Sequence, residues 1–302
     1  MKKENLAAMI YGAFYGDAYS LGAHWIYDTD TIKNSSFDLT RCNDPISQYH
    51  PTKKAGEFTH YGDQMLWLLE HLAQYKKFSL VDFGNFWHLK MQNYSGYIDG
   101  ASKHTINKLN EERNFFSCGS NSSDLAAISR MFPIILAYQS SFSEMQEAIK
   151  LHTILTHMSR ELILCGYFIS ELAVALLHKV ALEKAISETA KHSDPVIQNW
   201  IQKALDCKQS DSINAVKELG QSCGVSGAFS STIYILLKYQ DDLEIALKQN
   251  FLAGGDSAAR GIIIGALLSI IDPKSIHAFK HQISKINEIE DFISVIETNQ
   301  EN

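Results

Sequence analysis

Apolar residues recur at spacings of three and four along almost the whole chain, and this periodicity constrains the fold more than any other feature. It predicts helices at 6–19, 64–75, 80–94, 125–138, 142–155, 159–178, 181–191, 194–207, 212–219, 226–239, 241–253 and 258–271. No stretch alternates between apolar and polar residues for long enough to predict a strand. We therefore predict an all-α fold and, because no linker marks a boundary, a single domain over residues 1–302.

The charge balance argues against two classes of partner. The chain carries 27 Lys and Arg against 34 Asp and Glu, a net charge of −7 without a long basic run, so we expect neither nucleic acid nor membrane as a partner. Five scattered cysteines without a C-x-x-C pair favour reduced thiols in a cytoplasmic protein. The apolar run 261–271 is too short to span a bilayer. The oligomeric state stays open.

The first predicted helix carries glycines at 12 and 16, one helical turn apart. Such spacing allows another helix to approach closely. Asp17 follows directly, inside an otherwise apolar surface, where a buried acid is costly unless it is paired or binds a ligand. Two interpretations of Asp17 stay open at this point: a hydrogen-bonded structural residue and a functional one.

A polar cluster meets the predicted helix at 64–75. Asp63 falls where the N-cap of that helix is expected, and His60, Tyr61 and Gln64 flank it. Taken alone, Asp63 could be a simple cap. His157, at the end of another predicted helix, is a further candidate, although a single histidine is more often structural than catalytic.

The segment Gly254-Gly255-Asp256 precedes the most apolar of the predicted helices. Two adjacent glycines let the backbone pass close to another part of the chain. An acid at a helix start is held by free N–H groups and by the helix dipole. From this motif alone, Asp256 could cap the helix, bind a metal ion or transfer protons.

Taken in order, these segments resemble the motifs of the ADP-ribosylglycohydrolase family, which includes the enzymes that reactivate dinitrogenase reductase. Residues 12–22 are similar to a G-x-x-x-G-D-A segment, and residues 56–69 contain the counterpart of G-x-x-T-D-D-T. Residues 124–133 resemble N-G-A-A-x-R-x-x-P, with Arg130 at the arginine. Thr156-His157 resembles a T-H segment, and residues 254–256 resemble the start of G-G-D-x-D-T.

The resemblance implies an orthogonal multi-helix domain, with a core over about residues 6–271, around a central cleft that holds two Mg²⁺ or Mn²⁺ ions. The implied reaction is hydrolysis of the bond between C1 of ADP-ribose and a protein side chain, so the partner is a small molecule or an ADP-ribosylated protein. It implies catalytic roles for Asp63 and Asp256, which are also the candidate metal ligands, with Asp17 in support. The candidate substrate-binding residues are His60, Tyr61, Gln64, Gly119, Ser120, Asp124, His157, Gly254, Gly255, Ser257 and Arg260.

The sequence departs from the family at the metal ligands. When residues 61–64 are aligned with T-D-D-T, only the second acid of the motif is present. When residues 256–259 are aligned with D-x-D-T, only the first acid is present. The ligands expected at 61, 62, 258 and 259 are missing, which argues against magnesium or manganese here. Arg260 lies four residues after Asp256, on the same helix face. We predict that Arg260 supplies a fixed positive charge in the cleft, the alternative being a solvent-facing side chain.

Three functions fit these observations. The first is a divergent glycohydrolase that cleaves a glycosidic bond to ribose through an oxocarbenium-like state stabilised by carboxylates. The alternative is a catalytically silent binding or structural protein on the same scaffold, as in certain jellyfish lens crystallins of the family. A third is a glycohydrolase acting on a free nucleotide or nucleoside.

Overall fold

A computed structural model describes residues 3–112 and 114–301, in which seventeen α-helices and no β-strand are present. This confirms the predicted all-α class. The first eight helices are α1 (Lys3–Ser20), α2 (Thr29–Asn34), α3 (His60–Tyr75), α4 (Leu80–Gln92), α5 (Gly100–Glu112), α6 (Ala126–Ser129), α7 (Phe132–Ala137) and α8 (Phe142–Thr156). The others are α9 (Arg160–Leu177), α10 (Leu182–His192), α11 (Pro195–Asp206), α12 (Ser212–Leu219), α13 (Val225–Lys238), α14 (Leu243–Ala253), α15 (Ser257–Ile271), α16 (Pro273–His277) and α17 (Ile286–Glu301).

Helices α1 and α15 cross in direct backbone contact, which we call the glycine crossing (Gly12, Gly16, Gly261 and Gly265). A Cβ atom built on Gly12 would lie 2.1 Å from the carbonyl oxygen of Gly265, and one built on Gly16 would lie 2.0 Å from that of Gly261. No side chain fits at these positions. The close helix packing predicted from the 12/16 spacing is therefore confirmed.

Helix α15 forms the centre of one continuous hydrophobic core. Every residue from Ser257 to Ile270 is buried, and the helix is apolar on all sides. A helix of that kind is stable only where other elements surround it. Buried side chains of α1, α3, α6, α9, α13 and α14 supply that surrounding.

Three parts of the helix prediction need correction. The helix expected at 125–138 is divided into α6 and α7, because Pro133 has no N–H to donate to the preceding turn. Helix α2 lies inside a long segment with no helical periodicity and has only 6 residues. Helices α5, α16 and α17 lie outside the predicted ones. Helix α5 is too polar to show a clear apolar stripe and α16 has only 5 residues, whereas Ile289, Ile293 and Ile296 give α17 a detectable stripe.

Four segments distant in sequence converge at one end of the glycine crossing. The chain leaves α1 through a short 3₁₀ turn to His24, and the irregular stretch after α2 carries His50. Helix α3 begins with His60, and the junction between α14 and α15 carries Asp256. An isolated antiparallel bridge between Ile26 and Gly255 joins the first of these segments to the last.

Over the ranges that the structure covers, no single helix is both long and apolar enough to cross a membrane. Within the described residues, only the sharply bent combination of Ser257–Ile271 with Pro273–Gln282 meets the length and composition requirement. All five cysteines are free thiols, and four of them are buried.

Candidate functional site

The turn Gly254-Gly255-Asp256 joins α14 to α15 in close contact with two other segments. Both glycines have a φ of +67°. A Cβ atom on Gly254 would lie 2.4 Å from the carbonyl oxygen of Ile26, and one on Gly255 would lie 2.2 Å from that of Gln221. The amide of Trp25 donates to the carbonyl of Gly255, and the amide of Gly255 donates to that of Ile26, each at 2.8 Å. The predicted close approach of the backbone is confirmed.

Asp256 occupies the N-cap position of α15 but does not use its side chain as a cap. The residue is fully buried, and neither carboxylate oxygen has a hydrogen-bond partner among the described residues. Burial raises the pKa of Asp256 to about 7, although the nearby charge of Arg260 lowers it. Weak contacts with the amide of Ala259 and the hydroxyl of Tyr61 also lower the pKa. A buried acid that titrates near neutrality and makes no hydrogen bond of ordinary length is unusual, because most buried polar groups are paired.

Arg260 is fully buried, so the solvent-facing alternative is wrong. Its Nε donates to Asn250 Oδ1 at 2.9 Å, and its Nη2 donates to the carbonyl of Gly254. The guanidinium therefore holds the glycine turn while its charge acts on Asp256. Ser257 faces the core, with its hydroxyl 3.4 Å from the carbonyl of Ser20.

Three imidazoles lie beside Asp256 and form what we call the histidine cluster (His24, His50 and His60). One nitrogen of each ring lies within 4.8 Å of the other two. The rings pack on one another, with centroids 5.4 Å apart for His24 and His50 and 5.6 Å apart for His50 and His60. All three residues are buried. Burial lowers the pKa of His50 to about 4, that of His60 to about 3 and that of His24 well below its usual value, which keeps the three rings neutral near pH 7.

Carboxylates flank two of these imidazoles. Asp256 Oδ1 lies 3.5 Å from His24 Nδ1, and Asp99 Oδ2 lies 3.8 Å from His60 Nε2. Asp99 precedes α5 and accepts hydrogen bonds from the amide and hydroxyl of Ser102. The cluster thus has neutral nitrogen donors at its centre and acids on two sides.

Aromatic rings cover the histidine cluster. Trp25, Tyr49 and Tyr97 pack edge to face, with centroids 4.9 to 5.4 Å apart. Trp25 has a φ of +63°, a strained conformation for a large side chain that occurs preferentially at functional sites. Tyr49 remains 38% exposed and Tyr27, near Asp256, 47% exposed, so this side of the cluster faces solvent.

Asp17 is fully buried and hydrogen-bonded to the N-terminus of α3. The amide of Thr59 donates to Asp17 Oδ2 at 2.8 Å, and the hydroxyl of Thr59 donates to Oδ1 at 2.6 Å. Burial raises the pKa of Asp17 to about 7, and these hydrogen bonds partly offset the rise. The geometry matches the structural interpretation of Asp17, and its supporting catalytic role stays a prediction.

The N-cap of α3 is Thr59 and not Asp63, so the predicted cap is wrong. The hydroxyl of Thr59 accepts from the amide of Tyr61, and the helix begins earlier than its apolar pattern indicates. Asp63 lies inside the first turn, where it accepts from Lys53 Nζ and from the hydroxyl of Tyr94, each at 2.6 Å. His60 and Tyr61 therefore stand at the helix N-terminus beside Asp256, while Asp63 is engaged by an ion pair.

Gln64 and His157 belong to a neighbouring polar network around Arg130. Gln64 Oε1 accepts from Arg130 and, at 2.9 Å, from Trp87 Nε1. Arg130 Nη2 donates to the hydroxyl of Thr156 at 2.9 Å, and His157 Nδ1 lies 2.8 Å from that same hydroxyl. The charge of Arg130 also lowers the pKa of His60, so this network acts electrostatically on the histidine cluster.

The loop between α5 and α6 is fixed to the end of α8. A Cβ atom on Gly119 would lie 2.3 Å from the carbonyl oxygen of Ile154, and the amide of Ser120 donates to the carbonyl of Thr156 at 2.9 Å. The loop leads to Asp124, which is half-buried and pairs with Gly224 through an isolated bridge. The charge of Asp124 raises the pKa of Asp256.

The donor set does not fit a pair of magnesium or manganese ions, which take carboxylate, carbonyl and water oxygens. Ala258 and Ala259 offer no side-chain oxygen at the start of α15. Asp17 and Asp63 already accept from Thr59 and from Lys53. Nitrogen donors occupy the centre of the site instead, so we assign no chemical step to such a metal pair.

Sequence reasoning placed His60, Tyr61 and Asp256 in the site but missed His24, His50 and Asp99. His24 and His50 are 26 residues apart and His50 and His60 are 10 apart, spacings that match no metal-binding motif. Only the preceding Gly22, in the first glycine motif, could have directed attention to His24.

Comparison with known proteins agrees with this architecture. The sequence profile of the family described as ADP-ribosylglycohydrolase matches residues 2–294. Crystallin J1A of Tripedalia cystophora is 22% identical over 287 residues, covering 87% of this chain and 86% of the crystallin. Crystallin J1B of the same organism is 20% identical over 282 residues, with the same coverage of each chain. A solved structure titled ADP-ribosylglycohydrolase-related protein complex superposes with a TM-score of 0.74 at 15% identity, covering 97% of each chain, which shows a shared fold.

Proposed function

Because the chain belongs to the ADP-ribosylglycohydrolase family, we propose that it is a hydrolase of a glycosidic bond to ribose, in an ADP-ribosylated protein or a small ADP-ribosyl or nucleoside ligand. The observation that carries this proposal is the state of Asp256. It is a buried carboxyl group whose two oxygens make no hydrogen bond of ordinary length within the described structure, and its pKa is raised to about 7. An acid whose pKa lies near the working pH is suited to general acid–base catalysis.

The proposed mechanism uses two carboxyl groups. Asp256, in its protonated form, donates a proton to the leaving atom as the bond to C1 of the ribose breaks. Asp124, which is half-buried, accepts a proton from the water that attacks C1, so the two groups move one proton each. Their electrostatic coupling supports the pairing, because the charge of Asp124 helps to keep Asp256 protonated.

The aromatic cover of the site suits a nucleotide. Tyr27 and Tyr49 are exposed, and Trp25 lies behind Tyr49 with ring centroids 4.9 Å apart. A purine base stacks on such rings without the need for a specific hydrogen-bonding pattern. In this proposal Tyr27 and Tyr49 receive the base and so bring the ribose to Asp256.

A hydrolysis assay tests the proposal. We expect the protein to release ADP-ribose from peptides ADP-ribosylated on arginine or serine, or a free base from nucleosides, at pH 7. The Asp256→Asn variant is expected to lower kcat by about 100-fold or more, because Asn cannot transfer the proton. The control is Asp291→Asn, a change at an exposed carboxylate on α17 that we expect to leave kcat unaltered.

An unchanged kcat in Asp256→Asn would reject the site. The assay is run in EDTA and again with magnesium, because a rate that depends on magnesium would contradict the poor fit of the oxygen-ligand metal pair.

A second candidate is a catalytically silent binding or structural protein, the alternative expected from the sequence. One observation favours it: Asp17 and Asp63, two of the three predicted catalytic acids, are engaged by Thr59 and Lys53. The similarity to two crystallins is compatible with it. Binding of ADP-ribose in calorimetry without cleavage of any of these substrates would favour this candidate over the hydrolase.

A further inference from the structure

We propose that the histidine cluster, His24, His50 and His60, binds one divalent transition-metal ion of the zinc class, such as Zn²⁺, Co²⁺ or Ni²⁺. The inference rests on the donor set and goes beyond the proposed hydrolysis, which it does not require. Imidazole nitrogens prefer these ions, whereas magnesium and calcium prefer oxygen.

The first argument is the absence of other partners. In the part of the chain that the structure describes, His24 Nε2 and both nitrogens of His50 and of His60 make no hydrogen bond, although all three side chains are buried. Buried polar atoms are nearly always satisfied, by protein, water or a bound group. One metal ion would satisfy a nitrogen of each ring at once.

The second argument is the position of the carboxylates. Histidines that bind metal typically donate their second ring N–H to a carboxylate or carbonyl, which fixes the tautomer and orients the ring. Asp256 Oδ1 lies 3.5 Å from His24 Nδ1, and Asp99 Oδ2 lies 3.8 Å from His60 Nε2. Asp99 is therefore a positioning residue for His60, and it supplies negative charge beside a dication. His24 Nδ1 instead accepts from the amide of Ala258 at 3.4 Å, which leaves the unpartnered Nε2 of His24 for the ion.

The third argument is geometric. The three nitrogens lie within 4.8 Å of one another, whereas zinc–nitrogen bonds of about 2.0–2.1 Å bring ligand nitrogens to about 3.4 Å apart. A contraction of roughly 1.4 Å is within the reach of side-chain rotation. His50 lies in an irregular segment, so its backbone can adjust more easily than that of His60 in α3.

Among the described residues, the histidine cluster is the only place where three or more potential metal-binding side chains come together. Three histidines leave further coordination positions open, which is the arrangement of reactive zinc sites rather than of closed structural ones.

The test is metal binding by the full-length protein after removal of metals with EDTA. We expect calorimetry to show one Zn²⁺ per chain, bound at least about 100-fold more tightly than Mg²⁺. Addition of Co²⁺ is expected to give the intense visible absorption of a four- or five-coordinate ion, and Zn²⁺ to raise the melting temperature.

The decisive variant is His50→Phe, with His71→Phe as its matched control. Both histidines are buried among aromatic rings, and neither makes a hydrogen bond within the described residues. Phe keeps the ring packing and removes the nitrogens. We expect His50→Phe to weaken Zn²⁺ binding by about 100-fold or more while far-UV circular dichroism stays unchanged, and His71→Phe to bind Zn²⁺ like the original protein.

Equal Zn²⁺ affinity in His50→Phe and the original protein would overturn the proposal and assign the ion to another place. If His50→Phe does not fold, the Co²⁺ spectrum of the original protein decides, because the weak absorption of an octahedral ion would also overturn it. These measurements need no substrate, so a protein that binds zinc but cleaves nothing would refute the proposed hydrolysis and leave the metal site standing.

Discussion

The molecule contains two fully buried acids whose pKa values burial raises to about 7, and their surroundings are opposite. Asp17 accepts two hydrogen bonds from Thr59 beside the glycine crossing. Asp256, at the start of the other helix of that crossing, makes no hydrogen bond of ordinary length among the described residues and faces the histidine cluster. Persistence of an acid in a family motif therefore does not identify its role, whereas the presence or absence of partners does.

The same contrast applies to the two regions as wholes. At the glycine crossing, backbone meets backbone at distances that leave no space for a methyl group. At the histidine cluster, the side chains are equally buried but their nitrogens are left without partners in the described structure. Dense packing in which every polar atom has a partner stabilises the fold. Dense packing that leaves polar atoms without partners costs stability and is found preferentially at functional sites.

The largest effect is expected from Gly16→Ala, which breaks the glycine crossing. The added Cβ would lie 2.0 Å from the carbonyl oxygen of Gly261, and neither helix backbone can yield without separating the core. We expect a loss of about 4 kcal/mol or more in the free energy of unfolding, measured with urea. Gly100→Ala is the control: a Cβ there meets nothing within 4 Å, and the change is expected to be within about 1 kcal/mol.

The next largest effect separates the two acids directly. Asp17→Ala removes both acceptors of Thr59 and leaves its buried amide unpaired, so we expect a loss of about 3 kcal/mol in metal-free protein. Asp256→Ala removes only weak contacts with Ala259 and Tyr61 and is expected to cost less than about 1.5 kcal/mol, mainly through the lost attraction to Arg260. Equal losses in urea unfolding at pH 8 would remove the distinction between the two regions.

The smallest of the three effects concerns His71, a buried histidine outside the cluster. Burial lowers its pKa to about 4 from an ordinary 6.5, so neutral His71 stabilises the fold fully above pH 6.5, and this contribution is lost as the pH falls toward 4. When the pH falls from 7.5 to 5, the free energy of unfolding of the original protein is expected to decrease by about 2 kcal/mol more than that of His71→Phe. Parallel curves of unfolding free energy against pH would contradict this.

Much of the fold could be predicted from the sequence because helix periodicity and glycine spacing are local properties. The apolar periodicity predicted most of the helices, and the two glycines one turn apart in α1 predicted the close approach of another helix. Local pattern fails where local and tertiary effects disagree. Pro133 divides a continuous apolar run, and α5 forms although its own sequence is polar.

The site was harder to predict because its members share no spacing. Asp256 could be found, since two glycines and a helix start surround it in sequence. The histidine cluster could not, because it exists only after three distant segments pack together. Thr59, and not Asp63, caps the helix, so Asp63 lies inside the first turn. The ion pair between Asp63 and Lys53 could not be predicted from the sequence around Asp63.

The bridge between Ile26 and Gly255 joins residues more than two hundred positions apart, and α1 meets α15 across a similar interval. Contacts of such long range form slowly, since the intervening chain must first be brought together. During synthesis, α1 therefore emerges from the ribosome long before its partner exists, with its apolar surface uncovered. We expect this protein to depend on chaperones until α15 has been made, and to acquire its site only in the last stage of folding.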